Sequence, residues 1–333
     1  MEEKLTKDRV TIYEVAKRAG VSLATVSRVI NKTGNVSKET EEKVNAVIAK
    51  LGYQPSSLAQ GLANSKSKNI AVVIPSTNYV FISNFLNGVV EVCKQNGNNV
   101  VLFTTSHSTL DALSTIDKVI KSHVDGAIIF DDELNSEDVK FINSFSVPCV
   151  VINHNVVGPQ SACITFNHEI VLGKIIENNF KNNGQAMTFV HSHNGGRLLN
   201  RVEKKFKDLH EEYHKSYQVF NCDDSYTKTY NDFKNYFESN KSGYFVVYRD
   251  SLGGAILNAA LDSGLRVPED VEIISIIGTK YGLLFRPQMS NLELDFSDVG
   301  KRAVYLLNDL VNETLTEKTV RYDVAYNKRE TTK

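Results

Sequence analysis

The stretch TIYEVAKRAGVSLATVSRVINKTGN, residues 11–35, constrains the fold of this chain more than any other. Its first half places apolar residues at the spacing of one helix face, at Ile12, Val15, Ala16 and Ala19. Thr11 and Glu14 have the spacing of a capping box at the start of this helix. Gly20 can end the helix, because glycine readily adopts the left-handed conformation found at many helix ends. The stretch therefore predicts a short first helix followed by a tight turn.

A second helix is predicted to begin after Ser22, whose side chain can cap it, and to pack on the first helix through Val26, Val29 and Ile30. Its opposite face carries small, polar or cationic side chains, at Leu23, Ala24, Ser27, Arg28 and Asn31. Such a face suits a DNA major groove, where arginine can bind guanine O6 and N7 and apolar side chains can contact thymine methyls. An ordinary helical hairpin with a solvated face shows the same pattern. On pattern alone, both interpretations stay open.

The order of residues in this region resembles a known family. The segment VTIYEVAKRAGVSLATVSRVIN, followed by NVSKETEEKVNAVIAKLGYQPSSLAQGLA, closely resembles the DNA-binding headpiece of the LacI/GalR family of bacterial transcription regulators, without a gap from Val10 to Ala63. The resemblance implies a sequence-specific repressor of carbohydrate-related genes that binds pseudo-palindromic operator DNA as a homodimer. The DNA-binding residues that it implies are Tyr13, Ser22, Leu23, Ala24, Thr25, Ser27, Arg28, Asn31, Asn35, Tyr53, Gln60, Leu62 and Ala63.

A third helix, capped by Ser37 and ended by Gly52, completes a headpiece predicted over residues 1–55. Residues 56–67 are small and polar and have the composition of a linker. By the resemblance this segment is a hinge helix, in which Leu62 matches the leucine that enters the minor groove. Gln60 stands where many family members have arginine, which puts one minor-groove contact in question.

After the hinge, β-rich runs alternate with helix-length segments. The runs are 70–75, 99–105, 124–130, 148–154, 162–167, 186–192, 217–221, 244–250 and 271–278. Continuous apolar strands that alternate with helices predict parallel sheets covered on both faces, and their number predicts two doubly wound subdomains. The fold class is therefore an all-α helix-turn-helix headpiece with an α/β body, which by the resemblance is like periplasmic binding proteins.

In this family the chain crosses three times between the two subdomains, and we place these crossings near Asn167, Asp295 and Val320. The first effector subdomain would then comprise residues 68–167 and 295–320, and the second residues 168–294 and 321–333. Between them the resemblance implies a ligand cleft. A dimer is expected, because no heptad repeat follows the body.

Ligands of open α/β sheets bind at the carboxyl ends of strands. There, Asp250 matches the family's effector-binding aspartate, whereas several neighbours differ from the usual residues. The candidate effector-binding residues are Tyr79, Phe81, Arg201, Arg249, Asp250, Thr279 and Lys280. Tyr79 and Phe81 could stack on a sugar ring, while Arg249 and Lys280 could bind a phosphate or carboxylate. Three alternatives stay open for the effector: a sugar, a sugar phosphate, or a regulatory protein that acts on a cleft which no longer binds a small molecule.

The remaining signals point away from enzymes and membranes. His210-Glu211-Glu212-Tyr213-His214 fits the H-E-x-x-H pattern of zinc proteases, yet it lies in a strongly charged segment predicted to be a solvated outer helix over 201–213. We therefore predict no metal, no cofactor and no catalytic residue.

No apolar run approaches the about 18 residues of a membrane span. Residues 1–66 hold 11 Lys and Arg against 7 Asp and Glu, a basic end that suits DNA. The four cysteines have no paired spacing, which suits the reducing bacterial cytoplasm where a nucleoid-associated regulator would reside.

Overall fold

The computed structural model describes residues 10–54, 67–105, 109–130, 137, 140, 141, 144, 147–156, 158–182, 184–193 and 195–333. The chain divides into two compact units, Met1–Lys68 and Asn69–Lys333. The predicted hinge, residues 56–67 with Gln60, Leu62 and Ala63, lies almost entirely outside the described residues.

The first unit is the predicted three-helix headpiece, with α1 (Ile12–Ala19), α2 (Leu23–Asn31) and α3 (Lys38–Leu51). The side chains of Ser22 and Ser37 accept hydrogen bonds from backbone N–H groups three residues later, as N-caps do. Gly20 and Gly52 follow α1 and α3 in the left-handed conformation, at φ 65° and 62°. The core joins all three helices, through the fully buried residues Val15, Ala19, Val26 and Val44.

The second unit contains two six-stranded sheets. The first sheet holds β1 (Asn69–Ile74), β2 (Asn99–Thr104), β3 (Gly126–Ile129), β4 (Cys149–Ile152), β5 (Ser161–Phe166) and β11 (Thr319–Tyr322), in the order β11-β5-β4-β3-β1-β2. The second holds β6 (Met187–Ser192), β7 (Tyr217–Cys222), β8 (Gly243–Arg249), β9 (Val271–Ile277), β10 (Ser290–Glu293) and β12 (Ala325–Asn327), in the order β12-β10-β9-β8-β6-β7. Neighbouring strands are parallel except for β10 and β12.

Helices connect these strands. They are α4 (Val80–Gln95), α5 (Thr109–Lys121), α6 (His168–Lys181), α7 (Gly196–Glu212), α8 (Tyr226–Ser239), α9 (Asp250–Asp262), α10 (Tyr281–Leu284) and α11 (Phe296–Val311). Central strands such as β9 are buried along their whole length, as expected for parallel strands covered on both faces. None of the described helices is long and apolar enough to span a membrane.

The chain passes from one sheet to the other after β5, after β10 and after β11. The third passage lies at Asp323 and Val324, because Val320, the position predicted for it, is in the middle of β11. Three strands were absent from the prediction: β10, β11 and β12. Each is only three or four residues long and is partly polar, so it lacks the apolar run by which the other nine strands were recognised.

Candidate DNA-binding and effector sites

The structure places the predicted groove-reading residues on the surface of the headpiece. Tyr13, Ser22, Leu23, Ala24, Arg28 and Asn35 are exposed, and Thr25, Ser27, Asn31 and Tyr53 are half-buried. Because Val26 and Val29 are buried on the other side of α2, the helix presents Leu23, Ala24 and Arg28 outward as one face. The candidate DNA-binding surface of the headpiece is therefore a rigid, capped helix face rather than a loop.

Local contacts arrange the polar side chains of this face. Asn31 Nδ2 donates a hydrogen bond to Ser27 Oγ at 3.2 Å, so these two side chains are held together. The Arg28 side chain lies against Gly34, where an added Cβ would be 3.5 Å from Arg28 Cδ. Gly34 has φ 77°, a conformation that favours glycine. The loop after α2 thus supports the aliphatic part of Arg28 and leaves its guanidinium exposed.

The carboxyl ends of the strands bring together three side chains from both halves of the second unit. Arg249 is the last residue of β8 and Asp224 follows β7. Tyr79 directly precedes α4, the helix that connects β1 and β2 of the first sheet. Arg249 Nη2 forms an ion pair with Asp224 Oδ1, and the Tyr79 hydroxyl donates to Asp224 Oδ2 at 2.8 Å. The Arg249 guanidinium lies 4.2 Å from the centre of the Tyr79 ring, a cation–π contact. The two subdomains are therefore linked across the predicted cleft by this Tyr79–Asp224–Arg249 cluster.

Charge in this cluster is compensated within the protein. The Arg249 side chain is only 7 % exposed, and burial lowers its pKa while Tyr79 acts in the opposite direction. Nε and Nη1 of Arg249 reach no hydrogen-bond acceptor among the described residues. The cluster thus combines a neutralised cation, two guanidinium nitrogens without an acceptor among the described residues and a carboxylate, a set that can donate to and accept from hydroxyl groups.

Asp250 lies beside this cluster as the first residue of α9, and it is 2 % exposed. Its Oδ2 accepts hydrogen bonds from the Thr279 backbone N at 2.7 Å and from Thr279 Oγ1 at 2.6 Å. Burial raises the pKa of Asp250, and the hydrogen bonds from Thr279 oppose that rise. In this conformation Asp250 fixes the loop after β9. Lys280 in the same loop is exposed.

A second link between the subdomains is formed by Arg201 of α7. Its Nη1 and Nη2 donate to the backbone oxygen and to Oδ1 of Asn153 at 3.1 and 2.8 Å, and its Nε donates to Glu169 at 2.5 Å. Asn153 directly follows β4 of the first sheet and has φ 63°. Arg201 therefore joins the two halves by a bidentate contact, and its role in effector binding stays a prediction.

Phe81 differs from its predicted role as a stacking platform. The side chain is 5 % exposed and packs in an aromatic cluster with Phe85, Phe130 and Phe296, stacked on Tyr79 at 5.6 Å. The cause is that α4 begins at Val80, so Phe81 lies in the first turn of this helix, on the face that packs on the core. Position 81 therefore faces the core.

The H-E-x-x-H pattern has a structural explanation. α7 ends at Glu212, and His214 lies beyond it with φ 51°, so the two histidines do not share a helix face. His210 is fully buried and packs between Phe206, Phe180 and Tyr217, with Nδ1 on the Phe206 backbone oxygen. The predicted solvated outer helix over 201–213 is therefore solvated on one face only, since Val202, Phe206 and Leu209 are buried on the other. No metal-binding group of His, Cys, Asp and Glu side chains occurs in the described part of the chain.

Asp224 and Asn153 were missed by the sequence analysis, although both follow strands at their carboxyl ends. The same strand-end rule that selected Asp250 would have found them if it had been applied to every strand. Ser192, the last residue of β6, belongs to the same group, because its Oγ lies 3.4 Å from Asp224 Oδ1.

Comparison with known proteins agrees with both halves of this description. Residues 11–56 match the family model of bacterial regulatory proteins, lacI family, and residues 185–332 match a periplasmic binding protein-like domain. Catabolite control protein A of Staphylococcus xylosus is 30 % identical over 310 residues, which cover 91 % of this chain and 93 % of that protein. The HTH-type transcriptional regulator pepR1 of Lactobacillus delbrueckii subsp. lactis is 28 % identical over 329 residues, covering 95 % and 96 %.

Among solved structures, the lac repressor dimer bound to operator and the anti-inducer ONPF superimposes with a TM-score of 0.81. Its sequence identity is 23 %, and the match covers 98 % of this chain and 99 % of that one. This likeness shows that the fold is shared along the whole chain. The chain is therefore a DNA-binding transcription regulator and belongs to the LacI family of bacterial regulatory proteins.

Proposed function

We propose that this regulator represses carbohydrate-related genes by binding a pseudo-palindromic operator as a homodimer in the bacterial cytoplasm. The observation that carries the proposal is the outward face of α2, on which Leu23, Ala24 and Arg28 are exposed and take no part in the headpiece core. Exposed apolar side chains on α10, namely Tyr281, Leu283 and Leu284, support a second subunit as a partner. The relatives' names, a catabolite control protein among them, support the carbohydrate connection.

Arg28→Ala is expected to reduce discrimination between the preferred operator and a variant with one changed guanine by about 5- to 150-fold. The reason is that a bidentate arginine–guanine contact is worth about 1–3 kcal/mol of discrimination. The operator can be selected from random duplexes with the wild-type protein, and affinities can be measured by fluorescence anisotropy at one fixed salt concentration.

Lys50→Ala is the matched control, since Lys50 is an exposed cation in the last turn of α3. It should alter affinity for all duplexes alike and leave base preference unchanged. If Arg28→Ala keeps both the affinity and the base preference of the wild type, α2 is not the recognition helix.

For the effector, we propose a sugar bound between the subdomains at the Tyr79–Asp224–Arg249 cluster and Asp250. Because Asp224 already neutralises Arg249, the cluster favours the hydroxyl groups of a neutral sugar over a phosphate. A sugar phosphate would have to displace Asp224 from Arg249. The alternative is a regulatory protein acting on a degenerate cleft, which is favoured by the two direct links across the cleft, Tyr79 to Asp224 and Arg201 to Asn153.

Asp250→Asn is expected to abolish the effect of the ligand on operator affinity while operator affinity without ligand stays within about twofold of the wild type. Coupling between sites is typically about 1–3 kcal/mol, so the wild-type effect should be roughly 5- to 150-fold. The ligand would first be identified by thermal-shift screening of neutral and phosphorylated sugars. At 100 times its dissociation constant it should add about 2.7 kcal/mol of stability.

Asp262→Asn, at the other end of α9, is the control, because Asp262 is on the surface and bonds only Tyr230 through its carboxylate among the described residues. It should respond to the ligand like the wild type. A full response by Asp250→Asn would move the effector site away from this position.

A further inference from the structure

A groove lies at the opposite end of the second sheet from the cleft. It is lined by residues at the amino ends of β6, β8 and β9, by α6, and by β12 with the residues that follow it. Its volume is about 680 Å³, within the range of about 300–1,000 Å³ usual for small-molecule pockets. β8 runs seven residues from this end to Arg249, which puts roughly 20 Å between the groove and the cleft cluster.

One wall of the groove is a single face of α6. The residues on this face recur at helical spacing: Val171, Lys174, Ile175, Asn178 and Asn182. The facing side is formed by Tyr244 and Glu272, which are directly paired on β8 and β9, and by Tyr326 of β12. Val171, Ile175 and the two tyrosine rings give the groove an apolar surface, while lysine and amide groups lie around it.

The lining of the groove includes lysine ammonium groups that form no ion pair with the described residues. Lys174 and Lys328 are exposed, and neither lies within ion-pair distance of a carboxylate in the described part of the chain. Glu272 is 5 % exposed, and its Oε2 already accepts a hydrogen bond from the Lys333 backbone N at 2.8 Å. Lys333, the third lysine of the lining, already donates from Nζ to the Glu269 backbone oxygen, so Lys174 and Lys328 supply the two ammonium groups available to a ligand.

Tyr244 supplies an independent observation. Its side chain is 4 % exposed and lines the groove, and its hydroxyl has no hydrogen-bond partner among the residues described. The hydroxyl oxygen itself is not among the fully buried polar atoms without a partner, so it opens to the groove, where water or a ligand can satisfy it. Burial raises the pKa of Tyr244 well above its usual value, which keeps the hydroxyl protonated as a donor.

We propose that this groove is a second small-molecule site, which binds an organic anion with an apolar or aromatic body. The anionic group would lie between Lys174 and Lys328, the body would pack on Val171, Ile175 and Tyr326, and Tyr244 would donate a hydrogen bond. The proposal does not depend on DNA binding or on the effector in the cleft, because it uses neither the headpiece nor the carboxyl ends of the strands.

The test uses 8-anilinonaphthalene-1-sulfonate, an aromatic anion whose fluorescence rises in apolar sites, titrated into the full-length protein. The wild type should show saturable binding. A charge-reversal variant, Lys174→Glu with Lys328→Glu, should bind the dye at least tenfold more weakly, and Tyr244→Phe should bind it about three- to tenfold more weakly.

Lys181→Glu is the control, because Lys181 is an exposed lysine on the same helix that does not line the groove. It should bind the dye like the wild type. Circular dichroism would show that each variant is folded. Absence of saturable binding by the wild type, or equal affinity of the charge-reversal variant and the wild type, would overturn the proposal.

Discussion

Gly300→Ala is expected to lower the free energy of unfolding of the second unit by about 2–3 kcal/mol, at the upper end of the range for overpacking. Gly300 lies on α11 where this helix crosses α4, and its added methyl group would clash with the Phe85 backbone oxygen and lie 3.0 Å from the Val89 backbone N. Gly88 of α4 meets the Ser297 carbonyl of α11 in the same way. Backbone atoms cannot move aside as a side chain does, so the two helices would have to separate.

Gly173→Ala provides the control, because Gly173 is also a glycine inside a buried helix face. Its added methyl group would meet only the ends of two flexible side chains, Lys205 Cε at 3.2 Å and Leu209 Cδ1 at 3.5 Å. Alanine is favoured over glycine in helices by about 1 kcal/mol, so this variant should be neutral or slightly stabilised. Urea unfolding of the full chain would measure both. Equal losses in both variants would exclude the helix crossing as the cause.

The headpiece was predicted well because its signals are local. The caps at Ser22 and Ser37 and the glycines after α1 and α3 act within one turn of helix, and each is where the sequence indicated. Seven of the nine predicted strands are buried along nearly their whole length, which requires a continuous apolar run, whereas β2 and β7 at the sheet edges are more exposed. The short strands β10, β11 and β12 carry no such signal. β10 and β11 pair with the longer strands β9 and β5, and β12 in turn pairs with β10.

The cleft was predicted only in part, because its geometry depends on partners distant in sequence. The strand-end rule selected Arg249 and Asp250, and both lie at the carboxyl end of β8. No local pattern indicated that Arg249 would be neutralised by Asp224, or that Tyr79 would form a hydrogen bond to a residue 145 positions away. These pairings follow from how the two sheets face each other. Phe81 shows the same limit, since its burial depends on Phe130 and Phe296, which are distant in sequence.

The largest expected effect is at Asp224, where replacement by alanine should lower the free energy of unfolding by about 3–5 kcal/mol. The reason is that Arg249 would keep its charge in a nearly buried position without its counter-ion. Tyr79 would also lose the acceptor that joins the two subdomains. Urea unfolding of the full-length variant at pH 7 is the measurement.

A double variant separates the loss of charge compensation from the loss of packing. Replacing a buried ion pair by apolar residues is often neutral, whereas removing one partner alone is costly. Asp224→Ala with Arg249→Met should therefore recover most of the stability that Asp224→Ala loses. A double variant no more stable than Asp224→Ala would mean that the ion pair is not the cause.

The adjacent residue Asp223 is the control for Asp224, because it has the same side chain but a different environment. It pairs with Lys228 at 2.7 Å on the surface, where its side chain is 45 % exposed, and solvent-exposed pairs contribute only about 0–1 kcal/mol. Asp223→Ala should thus leave both stability and ligand response close to wild type. Asp224→Ala, in contrast, removes the direct link from Tyr79, so it should also change how the ligand alters operator affinity. Equal losses in the free energy of unfolding for Asp223→Ala and Asp224→Ala would show that the buried charge of Arg249 is not the cause of the effect at Asp224. The Tyr79–Asp224–Arg249 cluster would then not be what stabilises the contact between the subdomains.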